Sequence, residues 1–227
     1  MNNIAYSDEY QLHRKSYDYI FDDKYKREVN SKALCNGKYI LETTCYEDNS
    51  QEKLKYNVNV SKTIVFDSKM HKISEFKNID NGADFFFIID HLDGNEYLFF
   101  HIDLYGYSVL NLVNSEVYHY IPEESFRQQE ETFIWANAYY CKQNNLLAVD
   151  GCYWAAPYST EIYDMSEPEK LPYNRVFNSY DMVDKIYTGC DVIALRWTEK
   201  GNIILECFEN EDDLSPSEKE IDISQIK

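Results

Sequence analysis

Basic residues are scarce in this chain: 22 lysines and arginines stand against 40 aspartates and glutamates, a formal charge of −18 over 227 residues. A surface of that sign repels phosphate backbones and anionic lipid, and no basic stripe interrupts it. Nucleic acid and membrane surfaces are therefore excluded as expected partners. Long apolar runs are missing as well. The longest, Phe85–Ile89, falls far short of the roughly 20 residues that cross a bilayer. The opening MNNIAYSDEYQLHRK has no apolar signal-peptide region, so the expected location is the cytoplasm. In that compartment the sequon Asn59-Val60-Ser61 meets no glycosylating machinery.

Several chemical signatures are also lacking. No cysteine pair has Cys-x-x-Cys spacing, and Cys35, Cys45, Cys141, Cys152, Cys190 and Cys207 are widely scattered. They read as free buried thiols, with neither disulfides nor structural zinc. There is no Gly-x-Ser-x-Gly elbow, no Walker loop and no dinucleotide fingerprint, which leaves nucleophilic hydrolysis and nucleotide use without support. No cofactor, metal or catalytic residue is expected.

What is present is aromatic and repetitive. Twenty-one tyrosines, 12 phenylalanines and many β-branched residues fall in apolar runs of four to eight residues, separated by short Asn, Asp, Gly and Ser clusters. Such runs are strands. Only PEESFRQQEE, Pro122 to Glu131, reads as an exposed helical turn or loop. The expected fold is all-β, in one domain spanning residues 1–227.

From Asp84 to Pro122, four strands follow one another: DFFFIID, EYLFFHID, YSVLNL and EVYHYIP. Asp93-Gly94 supplies the positive φ of the first hairpin turn. The order recurs over residues 31–77, 131–177 and 190–225. Second strands are anchored at Tyr39, Tyr97, Leu146 and Ile203, at intervals of 58, 49 and 57 residues. Third strands end in VFDS, VLNL, IYDM and EIDI, which align Asp67, Asn111, Asp164 and Asp222. IFDDK, with Asp22, is a fifth instance near the N-terminus. A short acid or amide at such a place bonds the backbone of the following turn.

These repeats resemble the blades of WD-repeat and YVTN-type β-propellers, although the Gly-His and Trp-Asp dipeptides of the WD class are absent. The resemblance implies four or five four-stranded antiparallel blades, with residues 18–30, containing KYKREVN, completing the last blade and closing the ring. A β-sandwich or an open meander is the other all-β answer.

Two groups of residues invite a function. His101 and Asp103 share a strand face, and the alignment puts Asp150 and Cys152 at the corresponding places in the next repeat. They are either a metal or acid–base centre, or polar strand ends tied into the sheets. Tyr105, Tyr107, Trp135, Tyr153, Trp154 and Tyr158 lie near strand ends and loops of two adjacent repeats, with Trp135 expected in the core. Tyr153, Trp154 and Tyr158, in the proline-bounded loop, together with Tyr105, His101, Asp103 and Asp150, form the expected binding set. The functional expectation is a non-catalytic interaction module, monomeric or weakly oligomeric, for a basic protein, as an inhibitor or immunity protein would be. The competing class is a hydrolase or glycan binder using acids and aromatics in a central funnel.

Overall fold

The computed structural model describes residues 2–52, 56–79, 85–183, 190–208 and 216–225. Asp84, the expected start of the second repeat, lies outside them. The fold is all-β and consists of four antiparallel sheets formed in chain order. The first contains β1 (Lys26–Leu34), β2 (Tyr39–Asp48), β3 (Val58–Asp67) and β4 (Lys72–Asn78). The second contains β5 (Phe86–Asp90), β6 (Glu96–His101), β7 (Tyr107–Asn111) and β8 (Val117–Tyr120). The third contains β9 (Ile134–Cys141), β10 (Leu146–Cys152), β11 (Ser159–Asp164) and β12 (Arg175–Asn178). The fourth contains β13 (Val192–Trp197), β14 (Ile203–Cys207) and β15 (Ser217–Ile221). Three short helices accompany them: α1 (Asp8–Lys15), α2 (Glu123–Gln128) and α3 (Tyr180–Val183). No described helix is long and apolar enough to cross a membrane.

The turns form for the reasons read in the sequence. Gly94 takes φ +88° and Asn145 φ +55°, conformations that glycine and asparagine adopt at low cost. Asp67, Asn111, Asp164 and Asp222 each accept a bond from the N–H two residues on, at 2.8–2.9 Å. Three anchors pair directly with these residues: Tyr39 with Asp67, Tyr97 with Asn111 and Leu146 with Asp164. Ile203 pairs instead with Ile221, one residue short of Asp222. The fourth anchor is thus slipped by one, and because side chains alternate, Ile203 faces the third sheet rather than away from it.

Two expectations for the N-terminal region are corrected. Residues 26–30 of KYKREVN do not complete the last sheet: they begin β1, with Val29 opposite Thr44 and Asn30 opposite Thr43. Asp22 lies in no strand; it caps a single 3-10 turn by accepting from Lys24 N at 3.1 Å. An Asx residue makes that local bond wherever a turn follows, so the motif alone does not count blades. The helix α1 was not foreseen. Ser7 caps it, acids open it, His13, Arg14 and Lys15 close it, and the wholly buried Tyr10 fixes it to the sheets.

Neighbouring sheets pack face to face. Because middle sheets are covered on both sides, the centre of β6 (EYLFFH), residues 97–100, is a continuous apolar run. Tyr97 and Phe99 face the third sheet while Leu98 and Phe100 face the first. Phe100 stacks on Phe76 of the first sheet at 3.6 Å. Between the third and fourth sheets, Leu146, Ala148 and Ile162 meet Ala194, Ile203 and Leu205. Among the described residues no comparable core joins the first sheet to the fourth.

The second and third sheets are joined through Trp135, which is 3% exposed, as its place in FIWANAYY suggested. Its ring stacks on Tyr107 at 4.1 Å and 17°, with Tyr163 at 5.3 Å and Phe99 at 6.4 Å. Gly151 sits beside this cluster at a register shift of β10 against β9. A Cβ there would lie 2.1 Å from the Ile134 carbonyl and 2.9 Å from the Phe133 ring, so only glycine lets the strands approach this closely. Trp135→Ala should cost about 3–5 kcal/mol of unfolding free energy, read as a lower midpoint in urea denaturation. A loss below about 1 kcal/mol would show that the two sheets do not depend on this contact.

Candidate functional site

A cavity of about 490 Å³ opens between the second and third sheets, the size of a site for a small organic group or a peptide side chain with its flanks. Its aromatic wall includes Tyr105, Tyr107 and Tyr120 from the second sheet and Trp135, Tyr153 and Tyr173 from the third. Tyr107 and Tyr173 are near-parallel, 5.7 Å apart at 19°, and Tyr107 Oη accepts from Tyr173 N at 3.1 Å. Burial raises the Tyr107 and Tyr173 hydroxyls well above the ordinary tyrosine range. They are neutral donors and acceptors at any physiological pH.

The charge of the cleft comes from four glutamates and one arginine: Glu124, Glu130, Glu131, Glu161 and Arg175. Glu161 is 2% exposed. It follows from strand alternation: Glu161 and Tyr163 are two apart on β11, so both face the cleft. Its carboxylate accepts from Arg175 Nη1 at 2.5 Å, from Asn178 Nδ2 at 3.1 Å and from the Tyr163 hydroxyl. Engaged in that way, Glu161 is a fixed anchor and offers little to a ligand. Glu124 differs. Its Oε2 is buried without a hydrogen-bond partner, as is Thr132 Oγ1, and both residues line the cleft. An unpartnered buried carboxylate oxygen costs about 1–3 kcal/mol or more, a cost that an incoming donor removes.

The residues expected from the sequence separate into four places. Tyr105 and Tyr153 line the cleft. Trp154 and Tyr158 stand outside it, 61% and 42% exposed. Their loop is fixed at its base: Tyr158 N donates to Asp191 Oδ1 at 2.8 Å and Tyr180 Oη to the Pro157 carbonyl at 2.5 Å. His101 is buried and stacked on Phe85 at 4.9 Å. Asp103 accepts from the Tyr10 hydroxyl at 2.7 Å and from Tyr105 N and Gly106 N, holding α1 and its own loop.

Asp150 lies in a different interface again. It accepts from Thr160 Oγ1 at 2.6 Å and from Ala194 N of β13 at 2.8 Å, tying the third sheet to the fourth. His101 and Asp150 do hold equivalent register positions, but in successive sheets these face successive gaps. They therefore never meet, and no grouping of three or more His, Cys, Asp or Glu suited to a metal occurs among the described residues. None of the six cysteines is in a disulfide; Cys141 and Cys190 are buried, whereas Cys35 is exposed, contrary to the expected burial of every thiol. Cys35 opens the turn Cys35–Gly37 that follows the exposed strand β1, which leaves its side chain little to pack against.

A nucleophile–base contact is also present, with Ser108 Oγ 2.8 Å from His119 Nδ1. Ser108 is wholly buried in β7, and burial lowers His119 to about 4, so the imidazole is neutral. A hydroxyl that no substrate can reach has a structural role.

The sequence reading missed Glu124, Thr132, Glu161 and Arg175. Glu161 had a signal, a carboxylate between Thr160 and Ile162 in an otherwise buried strand. Glu124 and Thr132 had none, because the connection folds over the cleft only in three dimensions.

No protein-family model matches this chain. Over 64 residues it is 33% identical to the uncharacterized protein R762 of Acanthamoeba polyphaga mimivirus, covering 26% of this chain and 26% of that protein. Among solved structures it overlaps a bifunctional GH43-CE of Bacteroides eggerthii at a TM-score of 0.36 and 11% identity, across 86% of this chain and 24% of that one. The chain thus spans about a quarter of each of these relatives, and so low an overlap carries no argument about activity.

Asp150 gives a pH prediction. Burial raises its carboxyl from 3.8 to about 6, so the folded chain binds this proton more tightly than the unfolded one. The stability it permits is complete below about pH 4 and falls as pH rises to about 6. Asp150→Asn keeps an oxygen for Thr160 and Ala194 without the charge. Relative to the parent, the variant should gain stability between pH 4 and 7, by at most about 3 kcal/mol. Urea midpoints of both proteins at pH 4.5 and 7.5 measure it; a difference independent of pH contradicts the assignment.

Proposed function

We propose that this chain is a non-catalytic interaction module, built as a small propeller-like row of four blades, that holds a basic protein through the cleft between its second and third sheets. The carrying observation is the buried, unpartnered carboxylate oxygen of Glu124 in an aromatic cleft where glutamates outnumber arginine four to one. A cation entering there meets tyrosine and tryptophan faces, and a partly desolvated carboxylate accepts its N–H. The overall charge of −18 steers a cationic partner toward the molecule, and the cleft gives the encounter a fixed end point. An inhibitor or immunity-type protein that masks a cationic partner has this combination.

Against a catalytic role stands the engagement of Glu161, whose carboxylate is held by Arg175, Asn178 and Tyr163 and is not free for acid–base work. Of the residues expected in a funnel, Tyr105 and Tyr153 line this cleft, whereas Asp103 bonds Tyr10 and Asp150 bonds Ala194.

The test compares two variants of equal charge with a capped glycine peptide containing two arginines and two lysines, by calorimetry at 50 and 150 mM salt. Glu124→Gln with Glu131→Gln should weaken binding about tenfold or more. Glu52→Gln with Glu199→Gln, on exposed positions away from the cleft, should change it less than about twofold at the higher salt, where surface charge is screened. Equal losses in both would mean that net charge alone attracts the peptide, and the proposal would fail.

A further inference from the structure

We infer that the group this cleft takes from its partner is an arginine side chain and not a lysine; the inference rests on the cleft being the binding site proposed above. Three features of the cleft point to a guanidinium.

The first is shape. Trp135, Tyr107 and Tyr173 have mutually near-parallel rings, at 17° between Trp135 and Tyr107, 19° between Tyr107 and Tyr173, and 27° between Trp135 and Tyr173. Packed on one another, the rings leave no gap between them and together present a flat aromatic wall of the cleft on which a planar group can lie. A guanidinium is planar and weakly hydrated and stacks on aromatic faces, whereas an ammonium is compact and gives up a stronger hydration shell to enter the same space.

The second is the acceptor set. Glu124 Oε2 and Thr132 Oγ1 are two buried, unpartnered oxygens on opposite ends of the connection between the second and third sheets. A forked head with five N–H donors can serve two separate acceptors while its plane rests on the rings. Glu124 and Tyr120 line the same cleft, and burial first, then the charge of Glu124, raises the Tyr120 hydroxyl.

The third is internal precedent. The cleft already holds one guanidinium, Arg175, against Glu161 and beside Tyr153 and Tyr163. The same chemistry repeated in the cleft would pair Glu124, whose Oε2 has no hydrogen-bond partner. The enclosed volume of about 490 Å³ leaves room for the three-methylene stem and the adjoining backbone.

The experiment titrates the full chain with two capped peptides, Gly-Gly-Arg-Gly-Gly and Gly-Gly-Lys-Gly-Gly, at 150 mM salt. The arginine peptide should bind about tenfold more tightly than the lysine peptide. Glu124→Gln should remove most of that preference, and Thr132→Val, a neutral change that leaves the charge intact, should weaken the arginine peptide severalfold while sparing the lysine peptide. Melting curves confirm that both variants are folded. If both peptides bind equally and both are weakened by Glu124→Gln, the cleft is the site but the choice of arginine is wrong. If neither peptide responds to Glu124→Gln, the cleft reading itself falls, and the inference falls with it. Displacement of the arginine peptide by a neutral oligosaccharide at comparable concentration would also overturn it, by assigning the cleft to sugar rings.

Discussion

The stack of Trp135 on Tyr107 is the contact on which the rest of the molecule depends. It joins the second sheet to the third, so the row of sheets has a rigid middle, and the same rings form the floor of the cleft. A floor made of core residues cannot be reshaped without loosening the packing around it. The cleft is consequently pre-formed, so under the proposed function little ordering would be needed on ligand entry.

Charge acts on a different scale. Forty acidic residues make the whole surface repel itself as well as attract cations, and the structure answers locally. Glu161 is compensated by Arg175 and by hydroxyl and amide donors, and Asp103 by Tyr10 and two backbone N–H groups. Asp150 is compensated less well, and burial leaves its carboxyl raised to about 6. Glu124 is compensated least, with one buried oxygen unpartnered. Ranked by satisfaction, the acids sort into architecture and site, which their number alone could not do.

Much of the architecture was legible because it rests on local chemistry. Asx residues bond turns two residues on, glycine and asparagine take positive φ, and a doubly covered strand such as EYLFFH is apolar through its centre. The slip of one residue at Ile203 shows the limit: alternation is exact, but an apolar run marks a strand without marking its register. Residues 26–30 were misplaced because an exposed strand of lysine, arginine and glutamate has no apolar face to declare its neighbour. The site was less legible. Tyr105 and Tyr153, chosen by their type and position, line the cleft, but His101, Asp103 and Asp150 were grouped by repeat equivalence, and equivalent positions in stacked sheets face different gaps. Glu124 and Thr132 matter through what they fail to bond, a property of the folded chain alone.

The three tryptophans give the most direct measurement of the central claim. Trp135 floors the cleft, Trp154 is exposed on the neighbouring loop, and Trp197 is tied to the Tyr139 carbonyl at 2.8 Å between the third and fourth sheets. Indole ¹⁵N–¹H resonances, followed by NMR during titration with the arginine peptide, report these three places separately. The account predicts a saturable shift of the Trp135 resonance with Trp197 unmoved. A shift confined to Trp154, or no shift of Trp135 at saturation, would contradict it.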